Sequence, residues 1–211
     1  MKIKKTYSYA LTEETLEKDI DKFIRDAKHC AYQYDYKYQQ EGLKLIRAYF
    51  RMIEDELKKQ NYTVARNCYK KIIFLLLQTE YDYFNYEDIV GKLNFEKYME
   101  NYFTCLLKTC SIEELFQEYY EYCKINEVYG FESVHKTIIA LLPEDGLNAF
   151  ATAVTSAAEK VGEEDYGLHN LIYFLLDLAK HRNNRESYNT LCQHYEKIVD
   201  IDPQEGFDED A

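Results

Sequence analysis

The run Ile72-Ile73-Phe74-Leu75-Leu76-Leu77, inside Val64–Thr79, constrains this chain more than any other stretch. Six successive apolar residues cover every side of a helix, so the segment must be enclosed by neighbours. It is far too short to cross a bilayer, which takes about 20 such residues. An all-β chain would need a turn every 8–12 residues or so, and an α/β chain would need Gly-rich strand–helix turns. The chain has only 2 prolines and 7 glycines in 211 residues, which supplies neither. Long, weakly punctuated segments of helical period therefore predict an all-α protein, read as one domain over 1–211.

Charge narrows the partners. With 38 acidic and 26 basic residues the net charge is −12. The basic cluster Lys2, Lys4 and Lys5 is too small to neutralise many phosphates, so nucleic acid and anionic membrane surfaces are not expected as partners. Residues 1–20 have no apolar signal region, and the six cysteines contain no C-x-x-C pair. They read as reduced, buried thiols, and the expected location is cytoplasmic.

The helices follow from caps and periodicity. Thr12 is the predicted N-cap of a first helix with Leu16, Ile20, Phe23, Ile24 and Ala27 on its apolar face. Tyr alternates through 31–38, which reads as helix or as a short break between helices. Leu43, Ile46, Phe50, Ile53 and Leu57 mark a second helix that ends near Gln60-Asn61, so it forms an antiparallel hairpin with the Val64–Thr79 helix. Ser111 and Glu114 form a capping box. Pro143 and Gly162 stop later helices, Asn183-Asn184 is a turn, and Glu186–Asp200 is the last helix. The acidic tail 202–211 is expected to be disordered. About nine antiparallel helices result, stacked as an α-solenoid or, alternatively, closed into a bundle.

Two features suggest repetition. Asn67–Ile73 is echoed by Gln193–Val199, each with Tyr, a charged pair and two β-branched residues. The segment 175–203 resembles a tetratricopeptide repeat: Leu178-Ala179 match its first helix, Tyr195 the aromatic of its second, and Pro203 the closing proline. Leu191 and Ile198 are bulky where that family has small residues, so these helices should pack further apart. The resemblance implies a right-handed superhelix that binds proteins on a concave surface and carries no catalytic residues.

Few residues suggest chemistry. Glu132-Ser-Val-His135 is one Glu-x-x-His, half of the pair used by dinuclear metal bundles, and Asp26-Ala-Lys-His29 is its nearest approximation. His169, Tyr173, Asp177 and His181 share a helical face, with Cys192 and His194 nearby in sequence. The simpler expectation there is an Asp177–His181 pair at a helix end. No metal or cofactor is expected. The segment Tyr81, Asp82, Tyr83, Phe84, Asn85, Tyr86, Glu87 and Asp88 is the candidate contact site, with Tyr81, Tyr83, Phe84, Tyr86, Glu87 and Asp88 as its binding residues. Its rings could instead fill the core beside Leu75–Leu77.

The leading expectation is a non-enzymatic helical-repeat scaffold or adaptor that binds a protein or peptide, a basic one given the charge. One alternative is a metal-binding or hydrolytic enzyme using the His-bearing C-terminal half. A second is an acidic mimic of nucleic acid, which requires a continuous negative surface.

Overall fold

The computed structural model describes residues 9–32, 41–77, 83–84, 90–125, 131–162, 165–199 and 205–208. The protein is all-α, with no strand among the described residues. The helices are α1 Leu16–Lys28, α2 Glu41–Lys58, α3 Tyr62–Leu77, α4 Phe95–Thr109, α5 Ile112–Ile125, α6 Phe131–Leu141, α7 Glu144–Ala158, α8 Tyr166–His181, α9 Arg185–His194 and the single turn α10 Glu205–Asp208. A 3-10 turn, Val90–Lys92, precedes α4.

With so few glycines, the chain ends helices by other means. Cys30, Gln60 and Asn183 adopt positive φ (62°, 65° and 51°) directly beyond α1, α2 and α8. At each, the next residue's N–H bonds back to a carbonyl in the last turn: Ala31 to Asp26, Asn61 to Glu56 and Asn184 to Ala179, at 2.9–3.0 Å. These are Schellman ends built on non-glycine residues. Helix starts are also capped. Asp165 accepts from the Gly167 N–H at 2.8 Å, and Asn184 from the Ser187 N–H at 3.0 Å. Ser111 and Glu114 exchange the two bonds of the expected capping box, at 2.8 and 3.2 Å.

Where the sequence suggests one domain, the contacts group into two compact units, Met1–Thr109 and Cys110–Ala211. In the first, α1, α2 and α4 all pack on α3. Ala65, Cys68, Tyr69, Ile72, Ile73, Leu75, Leu76 and Leu77 of α3 are buried, so five of the six residues in the apolar run are enclosed; Phe74 is half-buried, with Lys70 Nζ 5.2 Å from its ring centroid. Each such large side chain contributes about 1.5–3 kcal/mol by leaving water. Further contacts join α1 to α2 and α2 to α4. Phe50 of α2 stacks on Tyr98 of α4 at 3.7 Å, and Asn101 of α4 donates to the Tyr69 hydroxyl of α3 at 3.1 Å.

The second unit is built on α8. It packs against α5, α6, α7 and α9, and α5 also meets α7. Leu168, Leu171, Ile172, Phe174, Leu175 and Leu176 of α8 are buried. Phe174 meets Tyr119 and Phe150 edge-on or tilted at 5.8 and 5.1 Å, geometries favoured by ring quadrupoles.

Three sequence expectations need correction. Thr15, not Thr12, caps α1, accepting from the Lys18 N–H at 3.3 Å. The last long helix ends at His194 rather than Asp200; Tyr195–Ile198 form turns, so the echo of Asn67–Ile73 does not extend to local structure. Within the tail expected to be disordered, Glu205–Asp208 is helical and Phe207 is buried. Most of the tyrosine-rich stretch 31–38 lies outside the described residues.

Candidate functional site

Of the candidate contact residues, Tyr83 and Phe84 are described; Tyr81, Tyr86, Glu87 and Asp88 lie outside the described residues. Phe84 is buried and stacks on Phe23 and Tyr32 at 6.0 and 6.2 Å. It presses on Gly42, where a Cβ would come within 2.9 Å of its ring. Phe84 thus fills the core of the first unit instead of facing a partner. Tyr83 is half-buried and edge-on to Phe84.

Two buried polar clusters were not anticipated. In the first unit the Asp19 carboxylate, 1% exposed, is surrounded by hydrogen-bond donors. Tyr49 Oη donates at 2.7 Å and Tyr9 Oη at 2.8 Å to one oxygen. The Thr12 N–H (2.7 Å), Thr12 Oγ1 (2.8 Å) and Glu13 N–H (2.8 Å) donate to the other. Burial pushes this carboxyl up, but the bonds from Tyr49, Tyr9 and Thr12 outweigh it and hold it below its ordinary range. Thr12 is recruited to this anion, which is why it does not cap α1.

In the second unit α6 brings His135, 1% exposed, between α5 and α8. Its Nδ1 lies 2.5 Å from Asp177 Oδ2, and its Nε2 lies 2.9 Å from Tyr119 Oη. Tyr119 Oη is also 3.1 Å from the Asn170 carbonyl, and Asn170 Nδ2 donates to the Cys123 carbonyl at 3.2 Å. The phenol has one proton. It can go to Nε2 or to the Asn170 carbonyl, so Tyr119 ties α6 and α8 to α5 through one hydroxyl.

The Asp–His order is that of a hydrolytic triad, but the third group does not fit one. Tyr119 and Cys123 are fully buried, and burial pushes the phenol and the thiol upward. An activated nucleophile needs the opposite shift and access to substrate. The cluster is suited to fixing α5, α6 and α8 together.

The anticipated Asp177–His181 pair is replaced by Asp177–His135, because α6 packs on that side of α8. Glu132 points outward to Lys136, so Glu132 and His135 do not converge. His29 Nδ1 meets the Arg25 carbonyl at 2.7 Å. Cys192 is buried, while His194 is exposed and edge-on to Tyr195. Among the described residues, no three His, Cys, Asp or Glu side chains are placed to hold a metal ion.

The open clefts of the second unit include two large ones, beside a smaller one of about 310 Å³ near Leu168 and His194. One, of about 470 Å³, lies between α6 and α8, with Asp177, Glu132, Lys136, Lys180 and His181 around Ile139. The other, of about 600 Å³, lies between α5 and α7. Phe116 and Tyr120 form one wall, stacked at 5.9 Å and nearly parallel. Ala149, Ala153 and Ala157 form the other, with Lys160 and Glu113 at the rim. The i, i+4, i+8 alanines were the available sequence signal, lying beside the apolar face of α7.

The chain matches no family model, no curated protein and no solved structure. No helix among the described residues is long and apolar enough to cross a membrane.

Proposed function

We propose that the protein is a non-catalytic helical scaffold whose α5/α7 groove receives an amphipathic helix from a protein partner. The groove itself carries this reading: aromatic rings on one wall, small side chains on the other, and an opening to solvent. Ala149 to Ala157 spans about 12 Å of helix, enough for two turns of a guest whose apolar residues recur at i, i+3, i+4 and i+7. The net charge of −12 favours a guest with a basic polar face.

The tetratricopeptide-like resemblance of 175–203 rests on α8 and α9, which pack as a hairpin, although Tyr195 lies just beyond the end of α9. The hydrolytic alternative would need an exposed nucleophile near His135, and the groups there are sealed in the core. A nucleic-acid mimic would need unbroken negative surface. Ion pairs such as Lys18–Glu14, Lys58–Asp55, Lys97–Glu100 and Arg182–Glu144 instead interleave both signs. Buried Cys68, Cys105, Cys123 and Cys192, with no cysteine in a disulfide among the described residues, suit a reducing, cytoplasmic setting.

The test is a titration with two labelled amphipathic peptides that share a Leu face and differ in a Lys or a Glu polar face. The Lys peptide should bind with a Kd on the order of 1–100 μM. Ala153→Trp, which fills the groove from the half-buried wall of α7, should weaken it at least ten-fold. Equal binding by Ala153→Trp would remove the proposal.

A further inference from the structure

The turn between α8 and α9 gathers basic side chains in an acidic protein. Lys180, His181, Arg182 and Arg185 fall within six consecutive residues; Arg182 is ion-paired to Glu144 at 2.6 Å, and Lys180 and Arg185 are the cations that lie over aromatic rings here. Against this turn sits Phe207 of α10, 9% exposed. Its ring is edge-on to Tyr188 at 5.2 Å, and the Arg185 guanidinium lies over its face at 4.6 Å. Lys180 Nζ lies 5.9 Å from the centroid of the same Tyr188 ring. Phe207 therefore lies between the Tyr188 ring and the Arg185 guanidinium, with Lys180 over Tyr188.

The segment carrying Phe207 has matching chemistry. Residues 202–211 read DPQEGFDEDA, in which Phe207 is the only large apolar side chain, and acids stand at 202, 205, 208, 209 and 210. Phe207 is thus the residue that can anchor this segment by burial, with cation–π attraction from Arg185. A four-residue turn held by one ring makes a small interface, and it persists because the covalent link keeps its local concentration high. An interaction of that kind can be exchanged for the same chemistry supplied from outside.

We propose that the slot formed by Lys180, Arg185 and Tyr188 is a recognition site for an acidic segment of a partner protein that presents a phenylalanine, and that the chain's own residues 205–208 hold it closed in cis. This site is separate from the α5/α7 groove and does not depend on that reading. Acids around the phenylalanine are attracted to Lys180 and Arg185, so partner binding should weaken as salt rises.

The experiment uses the full chain carrying Phe207→Ala, which empties the slot, and a labelled synthetic peptide of sequence 200–211. The peptide should bind this variant at least ten-fold more tightly than the wild-type chain. The same peptide with its phenylalanine replaced by alanine should not bind, and adding Arg185→Glu should reduce binding at least ten-fold. Because the chain has no tryptophan, Phe207→Trp provides an independent reading. The emission of this variant should be that of a buried indole and should move to the red when the phenylalanine peptide is added. Equal affinity for wild type and Phe207→Ala, or an indole emission unchanged by saturating peptide, would overturn the proposal. Concentration-dependent dimers of the wild-type chain that dissociate on Phe207→Ala would also overturn it, assigning the slot to a second copy.

Discussion

His135 Nδ1 lies 2.5 Å from Asp177 Oδ2, joining the buried face of α6 to a carboxylate at the edge of the α6/α8 cleft. The bond leaves an imidazole with no apolar substitute for its partner. Asp177→Ala is therefore expected to cost about 1–3 kcal/mol, the penalty of a buried donor left unpaired. Adding His135→Leu removes the orphaned group, so the two losses should not add, and a coupling of about 1 kcal/mol or more is expected. Urea unfolding of the two single variants and the double variant measures it.

Asp19 makes a second, pH-dependent prediction. Its carboxyl is held below the ordinary 3.8 because the bonds from Tyr49, Tyr9 and Thr12 overcome the upward push of burial. A group of this kind contributes stability above its unfolded pKa and loses it as pH falls through the lower folded value. Asp19→Asn should cost about 1–3 kcal/mol at pH 7 and much less at about pH 3, below the ordinary carboxyl range. Urea midpoints at the two pH values test the sign, and faster proteolysis of residues 9–13 should accompany the neutral-pH loss.

At high pH the direction reverses. Burial, the first cause in each case, pushes the Cys68 and Cys105 thiols from 9.0 up to about 12. It pushes the Tyr32 and Tyr188 phenols from 10.0 up to about 12. The unfolded chain releases these protons first, so stability should be complete below pH 9 and fall from there through about pH 12. Cys68→Ala with Cys105→Ala should flatten the early part of that fall. Unfolding midpoints across this range, with and without the substitutions, decide it.

Gly42 and Phe84 give a test of packing whose sign depends on the partner. A Cβ at 42 would lie 2.9 Å from Phe84 Cδ1, and the ring has Phe23 and Tyr32 stacked on it. Gly42→Ala should therefore cost about 1–3 kcal/mol, despite alanine's better helix propensity. With Phe84→Ala already present, the same change should be neutral or stabilising by up to about 1 kcal/mol. A full double-mutant cycle by thermal unfolding reads both signs.

Local signals in the sequence were reliable where the cause was local. The Ser111/Glu114 box needs only residues three apart, and the burial of Ile72, Ile73 and Leu75–Leu77 needs only composition; Phe74, in the same run, is half-buried. Signals failed where a distant group competes. Thr12 has the right chemistry for a cap, but Asp19 claims both its N–H and its hydroxyl. Asp177 has a helical neighbour at His181, yet His135, 42 residues earlier, is closer once α6 packs on α8. The acidic tail has the composition of disorder, but one phenylalanine meets a slot made by Tyr188 and Arg185. The aromatic Phe84 was legible as either plug or contact, and the space above Gly42 settled it as plug.

The most direct test of the scaffold reading is a map of amide chemical shifts on the full chain during titration with the Lys-faced amphipathic peptide. Perturbations should concentrate on Phe116, Tyr120, Ala149, Ala153 and Ala157 and disappear in Ala153→Trp. Shifts that are absent at saturating peptide, or that spread over the acidic surface and persist in Ala153→Trp, would contradict it.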